Sequence, residues 1–226
     1  MKKIIIGSRG SKLSLVYANR VKSLILEKES NLSEEDIIIE KIKTSGDIFK
    51  DIKLSEIGGK NLFCKEIEDS LLKKKIDIAI HALKDMEGEE EKNLVIGAYI
   101  KRNDPRDVFI SLKYGSLKEL GGKIVGSSSR RRELQLKSIN KNIKLKHIRG
   151  NIDTRIKKLE EGLYDGIVLA LAGVKNLNLE NSVKEIFSIK DVIPSVGQGI
   201  IAAQCRKEDE KIKIILNKIN DTETKH

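Results

Sequence analysis

The sequence predicts an α/β protein with mostly parallel sheets, and three observations carry that prediction. Short apolar runs of strand length alternate with segments of helical periodicity along the whole chain. The run Asp165 to Leu171 is rich in Val, Ile and Leu, as expected of a strand buried on both faces. Finally, Ile5-Ile6-Gly7-Ser8 is echoed by Ile124-Val125-Gly126-Ser127, each at a strand end ahead of a helix. Two similar α/β domains facing each other across a cleft would produce that echo.

The elements follow in order. Lys3 to Ile6 reads as a buried strand, and Gly7-Ser8-Arg9-Gly10-Ser11 as a turn with cap residues. Leu13, Val16, Tyr17, Val21, Leu24 and Ile25 fall at helical spacing, which predicts a helix to about Lys28. Ile37 to Ile42 is a second strand, and Gly58-Gly59-Lys60 a flexible turn before a helix from Leu62 to Lys74. Ile76 to Ile80 is a strand that ends in His81-Ala82-Leu83-Lys84-Asp85. Leu94 to Ile100 is another. Asn103-Asp104-Pro105-Arg106-Asp107 is a turn and a crossing point between domains. Beyond it, Val108–Ser111, Lys123–Gly126, Leu145–Ile148 and Asp165–Leu171 read as strands. Helices follow Ser129 and Asn151, Gly197-Gln198-Gly199 is a turn, Ile200 to Cys205 a strand, and Lys207 to Asn220 a charged helix.

Composition narrows the function. A chain of 226 residues makes one or two domains, and 39% hydrophobic with 35% charged residues excludes a disordered chain. Two distant cysteines, Cys64 and Cys205, exclude a disulfide scaffold and a Cys-rich zinc site, and no metal site is expected. No apolar run reaches a membrane span and no signal peptide opens the chain, so a cytoplasmic protein is expected. The net charge of +10 raises a nucleic-acid reading. However, 34 of the 44 basic residues are scattered lysines, and aromatics are 4%, which leaves few stacking platforms. The arginines are different. Five of ten lie between residues 130 and 155: Arg130, Arg131, Arg132, Arg149 and Arg155. Arginine forks suit carboxylates, and helix N-termini favour anions. Capping explains the Ser, Asp and Thr residues at these turns but not the arginines. A compact anionic ligand is expected.

A second constellation is His81, Lys84 and Asp85, delivered by a strand end into one loop. An Asp beside a Lys can stay ionised and stabilise a developing cation or move a proton; a surface ion pair is the plainer reading. His147 reads as core or surface, Cys205 as buried filler, and Cys64 as a possible thiolate site without a basic partner at defined spacing.

Taken in order, Gly58-Gly59-Lys60 with Leu62-Phe63, His81-x-x-Lys84-Asp85, Asp104-Pro105-Arg106-Asp107, Ser128-Ser129-x-Arg131-Arg132, Arg149-Gly150-Asn151-x-x-Thr154-Arg155, Leu169-Ala170-x-Ala172-Gly173 and Val196-Gly197-Gln198-Gly199 resemble the porphobilinogen deaminases. The resemblance runs from Ile4 to Glu223. It implies two periplasmic-binding-protein-like domains flanking a cleft: residues 1–101 with 200–220, and residues 102–199, with 221–226 the truncated start of the family's small third α+β domain, which is expected to be absent from this chain. It implies a monomeric transferase that joins four porphobilinogen molecules into hydroxymethylbilane, releasing ammonia, on a covalent dipyrromethane cofactor, with no nucleic acid or membrane partner. By the match Asp85 is the catalytic carboxylate, assisted by Lys84. Arg9, Ser11, Ser129, Arg131, Arg132, Arg149 and Arg155 hold cofactor and substrate carboxylates, and Lys60 lies on the loop over the cleft.

The chain departs from the family in places. The family attaches its cofactor to a Cys in a Gly-Gly-Cys loop of the third domain, and neither Cys64 nor Cys205 matches that loop, so no covalent anchor is expected in this chain. Tyr17 stands where the family usually has Gln, Ala82 for Ser, Glu87 for Pro, Glu56 for a basic residue and Asn176 often for Arg. A non-catalytic protein that binds small polycarboxylates or pyrroles is the rival expectation.

Overall fold

In the computed structural model, residues 3–48 and 63–225 are described. Glu56, the Gly58-Gly59-Lys60 turn and Leu62 lie outside the described residues. The elements run in chain order β1 (Ile4–Arg9), α1 (Lys12–Lys28), β2 (Ile37–Ile42), α2 (Ser45–Ile48), α3 (Lys65–Leu72), β3 (Ile78–Ala82), β4 (Leu94–Ile100), β5 (Asp107–Ile110), β6 (Ile124–Gly126), α4 (Arg130–Ile139), β7 (Lys144–Lys146), α5 (Ile152–Glu160), β8 (Gly166–Ala170), α6 (Leu171–Asn176), β9 (Val183–Ile186), β10 (Ile201–Arg206), α7 (Glu210–Asn217) and α8 (Thr222–Lys225). They divide into two compact units: residues 1–102 with 200–226, and residues 103–199.

Unit 1 holds a five-stranded sheet in the order β2-β1-β3-β10-β4. Successive side chains of a strand point to opposite faces. Ile4, Ile6, Ile78 and Ile80 therefore pack with Val21 and Ile25 of α1 and with Ile212 and Leu216 of α7. Ile5 and Ala79, one residue out of phase, meet Ile67 and Leu71 of α3 on the other face. Both faces are covered, which is why these strands are unbroken apolar runs rather than alternating ones. The Asp221 N–H donates to the Tyr99 carbonyl at 2.8 Å, and Arg102 N–H donates to Thr224 Oγ1 at 3.0 Å, so the end of the described chain closes on the β4 edge of unit 1.

Unit 2 repeats the plan with the order β7-β6-β8-β5-β9. Phe109, Val125 and Val168 pack with Leu136 of α4 on one face, and Val108, Ile110, Ile167 and Leu169 pack with Leu159 of α5 and Val174 of α6 on the other. The sequence echo is a true structural equivalence. In unit 1 the Asp77 backbone N–H donates to the Ile5 carbonyl at 2.8 Å, and Ile5 N–H returns a bond to Asp77 Oδ2 at 3.0 Å. In unit 2 Asp165 and Ile124 exchange the same two bonds at 2.8 Å each.

The sheets are mixed, not mostly parallel. In each, two strand pairs are parallel and two antiparallel: β3-β10 and β10-β4 in unit 1, and β8-β5 and β5-β9 in unit 2. The cause is connectivity. β10 enters unit 1 after the excursion through unit 2, and it inserts between β3 and β4 with reversed direction. Gly7 to Arg9, expected as a turn, extend β1 because they pair with Glu40, Lys41 and Ile42 of β2. α6 and β9 carry too few residues to leave a periodic signal.

The two chain crossings meet at Gly199. Its φ is +88°, and a Cβ there would lie 2.5 Å from the Asn103 carbonyl oxygen. The Asn103 N–H donates to the Gly199 carbonyl at 2.9 Å, which holds the approach closed. A Gly199→Ala variant therefore combines positive-φ strain with a backbone clash and is expected to lose about 2 kcal/mol or more. A denaturant midpoint equal to the wild type's would contradict this reading.

Candidate functional site

In unit 1 the Asp85 turn follows β3 directly. Leu83 to Asp85 form one 3₁₀ turn with Ala82 at its N-cap, and the Leu83 N–H is tied to the Ile200 carbonyl at 3.0 Å. Lys84 and Asp85 are half-buried. The Asp85 charge is felt by two buried neighbours. Burial first, and Asp85 second, push the Tyr17 phenol up to about 12. Burial, then Glu68 and Asp85, push the Cys64 thiol up to about 12. Cys64 donates its thiol proton to the Asp85 carbonyl at 3.6 Å, so it acts as a buried brace for the turn. It is not the thiolate site that its sequence position allowed. Cys205 is also fully buried, and its thiol is pushed up to about 11 mainly by burial.

His81 is not delivered into the Asp85 loop. It lies inside β3, opposite Ala202, and two-residue alternation carries it to the α3 face with Ala79. There its Nε2 meets Gln204 Oε1 at 3.1 Å, and Gln204 Nε2 donates to Glu68 Oε1 at 3.0 Å. Gln204 spends its NH₂ on Glu68, so its carbonyl accepts and His81 Nε2 carries the proton. Burial lowers the His81 pKa to about 4 from 6.5. The unfolded chain therefore binds the proton first. Unit 1 has its full His81 contribution above about pH 6.5 and loses it as pH falls toward 4. Denaturant midpoints measured across this range should slope accordingly, and a His81→Gln variant should flatten the slope.

Arg9 ends β1, and its guanidinium lies 4.2 Å from the centroid of the Phe63 ring. This is a cation–π platform that the sequence reading did not identify, although Phe63 sits in one of the motifs. Ser11 caps α1 by accepting the Ser14 N–H at 3.2 Å. Its Oγ also lies 2.7 Å from Ser14 Oγ.

In unit 2 the strand-to-helix turns carry the arginines as expected, and the structure sorts them. Ser129 caps α4 by accepting the Arg132 N–H at 3.4 Å. Arg130 is exposed and pairs with Glu133 at 3.3 Å. Arg131 and Arg132 converge on one buried carboxylate. Arg131 Nη2 donates to Asp107 Oδ2 at 2.7 Å, and Arg132 Nη2 donates to Asp107 Oδ1 at 2.7 Å. Arg132 Nη1 donates to the Val168 carbonyl at 3.1 Å, and Arg131 Nη1 donates to the Ile193 carbonyl. Burial alone would raise the Asp107 pKa, but the Arg132 and Arg131 guanidiniums outweigh it and hold the carboxyl below its ordinary value. Arg132 is thus mainly a buried internal partner, which its place in the motif did not reveal. One of its donors is left over. Arg132 Nε is buried with no partner among the described residues. An orphaned cationic donor at the α4 N-terminus suits an anionic group, so this cradle fits the carboxylates of a dipyrromethane.

The α5 turn adds two more arginines. Arg155 Nε donates to the Gly150 carbonyl at 2.8 Å, and Lys158 Nζ donates to the Arg149 carbonyl at 3.1 Å. Asn151 caps α5 without a side-chain bond. Arg149 and Arg155 are half-buried. Asn176 donates to the Ala172 carbonyl at 2.7 Å and to Asn103 Oδ1 at 3.3 Å, so it ties α6 to the first crossing. Glu87 is exposed, and His147 is an exposed residue beyond β7. The sequence reading also missed Gln198 and the role of Asp107. Both stand in its motifs, yet only the fold shows that they meet. Among the described residues no cluster of acidic, His or Cys side chains suits a metal ion, and no helix is long and apolar enough to cross a membrane.

The family model described as porphobilinogen deaminase, dipyrromethane cofactor binding domain, matches residues 4–214. The porphobilinogen deaminase of Bacillus cereus strain B4264 is 46% identical over 230 residues, covering 99% of this chain and 72% of that protein. That of Bacillus thuringiensis strain Al Hakam is 45% identical with the same coverage. Two solved structures share the fold at low identity. A Bacillus subtilis lipoprotein named for methionine binding superposes with a TM-score of 0.57 at 15% identity, covering 99% of this chain and 92% of that one. The VFT2 domain of Bordetella pertussis BvgS superposes with a TM-score of 0.52 at 12% identity, covering 96% and 85%. The architecture is that of the periplasmic binding proteins.

Proposed function

The chain belongs to the porphobilinogen deaminase family, and from that membership we propose that it acts in condensing porphobilinogen to hydroxymethylbilane with release of ammonia. The observation that carries the reading is the Arg132 Nε donor, buried, cationic and without a partner among the described residues, beside the α4 N-terminus. Each pyrrole in this chemistry bears an acetate and a propionate, and charge-assisted bonds from arginine suit both.

The roles divide by chemistry. Arg131, Arg132, Arg149 and Arg155, with the Ser129 hydroxyl, hold the carboxylates of cofactor and substrate. Arg9 and Ser11 of unit 1 are assigned to carboxylate binding by the family match, with Arg9 oriented by the Phe63 ring. Lys60, outside the described residues, is assigned to ligand binding by the family match alone. Asp85 is the catalytic carboxylate. Loss of ammonia from an aminomethyl pyrrole leaves positive charge shared with the ring nitrogen, and an ionised carboxylate stabilises that charge. Lys84, in the same turn, assists it. When bound, dipyrromethane supplies the pyrrole carbon on which the chain grows. The reading carries with it a monomer working in the cytoplasm on a small molecule, with no nucleic acid partner.

A second reading, a non-catalytic binder of small polycarboxylates, is favoured by one observation. Cys64 and Cys205 are both buried, with thiols pushed up to about 12 and about 11, so neither offers a thiolate for covalent attachment. The test is the denatured intact mass of this chain after incubation with porphobilinogen, beside calorimetric binding. We expect an unchanged mass, with binding that weakens by about ten- to 150-fold in Arg149→Leu as one charge-assisted bond is lost. A mass gain matching two or more pyrrole units would show an anchor within these residues. Absence of binding by the wild type would overturn both readings.

A further inference from the structure

Gly46 of unit 1 has no backbone reason to be glycine. It is the second residue of α2, and its φ is not in the positive range that favours glycine. Alanine is the better residue at a helical position. What excludes alanine is an aromatic ring. A Cβ on Gly46 would overlap Cε1 and Cδ1 of Phe63 and lie 2.8 Å from its Cζ. The Gly46 backbone therefore lies flush against this ring.

The same ring carries the Arg9 guanidinium, whose Cζ lies 4.2 Å from the ring centroid. Sheet register brings these residues together. Arg9 pairs with Ile42 at the ends of the parallel strands β1 and β2, and α2 starts with Ser45, just beyond Ile42. α3 completes the frame. It begins at Lys65, close after Phe63, and its Glu66 Oε1 accepts the Ser45 N–H at 2.8 Å and the Ser45 hydroxyl. One helix thus fixes both the start of α2 and the approach to Phe63. β3 runs parallel to β1, so the Asp85 turn leaves the sheet at this same end, where α/β sheets bind their ligands.

The stack has a consequence for Arg9. A guanidinium is planar, and its N–H donors lie in the plane. With its face on a ring, those donors point edgewise, the direction from which a carboxylate takes two parallel bonds. We propose that Gly46 and Phe63 are positioning residues for anion binding: the absent side chain at Gly46 lets the ring lie under Arg9, and the ring holds the guanidinium with its edge toward the ligand carboxylate. The proposal deepens the reading of Arg9 as a carboxylate contact and rests on it.

The experiment uses the full chain with isotope-labelled arginine, the Arg9 signals being assigned by their loss in Arg9→Lys. Ring currents move protons above an aromatic face upfield, so the wild-type Arg9 Nε–H proton should lie upfield of the exposed arginines. Phe63→Leu should return it to the ordinary range. Gly46→Ala keeps the ring but displaces it, and should do the same. Calorimetric Kd for porphobilinogen should rise about three- to tenfold in each variant, and the double variant should lose no more than either alone. An Arg9 signal unmoved in Gly46→Ala would overturn the proposal, as would a Kd within twofold of wild type in both variants. A lowered thermal midpoint with signal and Kd unchanged would mark a packing role only and refute it too. If the wild type binds no porphobilinogen, the functional reading fails, and the ligand-free Arg9 signal still decides whether Gly46 sets the stack.

Discussion

Asp85→Asn is expected to stop ammonia release from porphobilinogen while leaving fold and affinity nearly unchanged. Asn keeps the shape of the side chain and removes the negative charge. The structural bonds of the turn are made by backbone: the Cys64 thiol donates to the Asp85 carbonyl, and Leu83 N–H donates to the Ile200 carbonyl. Neither depends on the Asp85 carboxylate, so the turn should persist. Loss of a group that stabilises developing charge or moves a proton costs about 10²–10⁴ in rate. Ammonia release measured against wild type should fall by that factor, and calorimetric affinity should change by less than about threefold. Turnover near the wild-type rate would remove Asp85 from the mechanism. The variant also has an independent signature. Asp85 is the second cause of the raised Tyr17 pKa and the third, after burial and Glu68, of the raised Cys64 pKa, so both groups should titrate somewhat lower in Asp85→Asn.

Asp107→Ala is expected to be the most damaging single change in unit 2. It strips the shared partner from Arg131 and Arg132, whose side chains are 25% and 9% exposed against 0% for Asp107. Breaking a buried pair by deleting one member costs about 3–5 kcal/mol, because the remaining charge stays buried without compensation. For a unit of this size that loss lowers the thermal midpoint by more than about 10 °C. The acid response follows from the sign of the shift. The folded Asp107 pKa lies below its unfolded value of 3.8, so its stabilisation is complete above about pH 4 and is lost as pH falls further. Asp107→Asn should flatten that acid limb. A midpoint within 2 °C of wild type in Asp107→Ala would show that the arginines find other partners.

Much of the molecule was legible in the chain. Val, Ile and Leu runs marked β1, β4 and β8, because strands covered on both faces cannot afford polar alternation, and the Ile37–Ile42 run marked the edge strand β2. The apolar spacing from Leu13 to Ile25 marked α1, and the Ile-Ile-Gly-Ser echo marked the repeated unit. Strand directions were less legible. Whether β10 runs parallel or antiparallel depends on where the chain re-enters the sheet, and no local pattern records that. His81 was misplaced for a related reason: its loop lay within two residues, but strand alternation and pairing with Ala202 kept it in β3.

The sequence by itself determined the alternation of elements, the two-unit plan, the family and the residue types that can grip carboxylates, since these rest on local periodicity, turn chemistry and ordered motifs. Only the tertiary structure decided what each arginine does. Arg131 and Arg132 are neighbours of Ser129 in the chain, yet their bonds are set by Asp107 and Val168, more than twenty and thirty residues away. Gln198 reaches the same carboxylate from a separation of 91 residues. A hydrogen-bond donor is spent or spare according to what the fold brings within about 3 Å of it, and that is a property of packing to which spacing along the chain is blind.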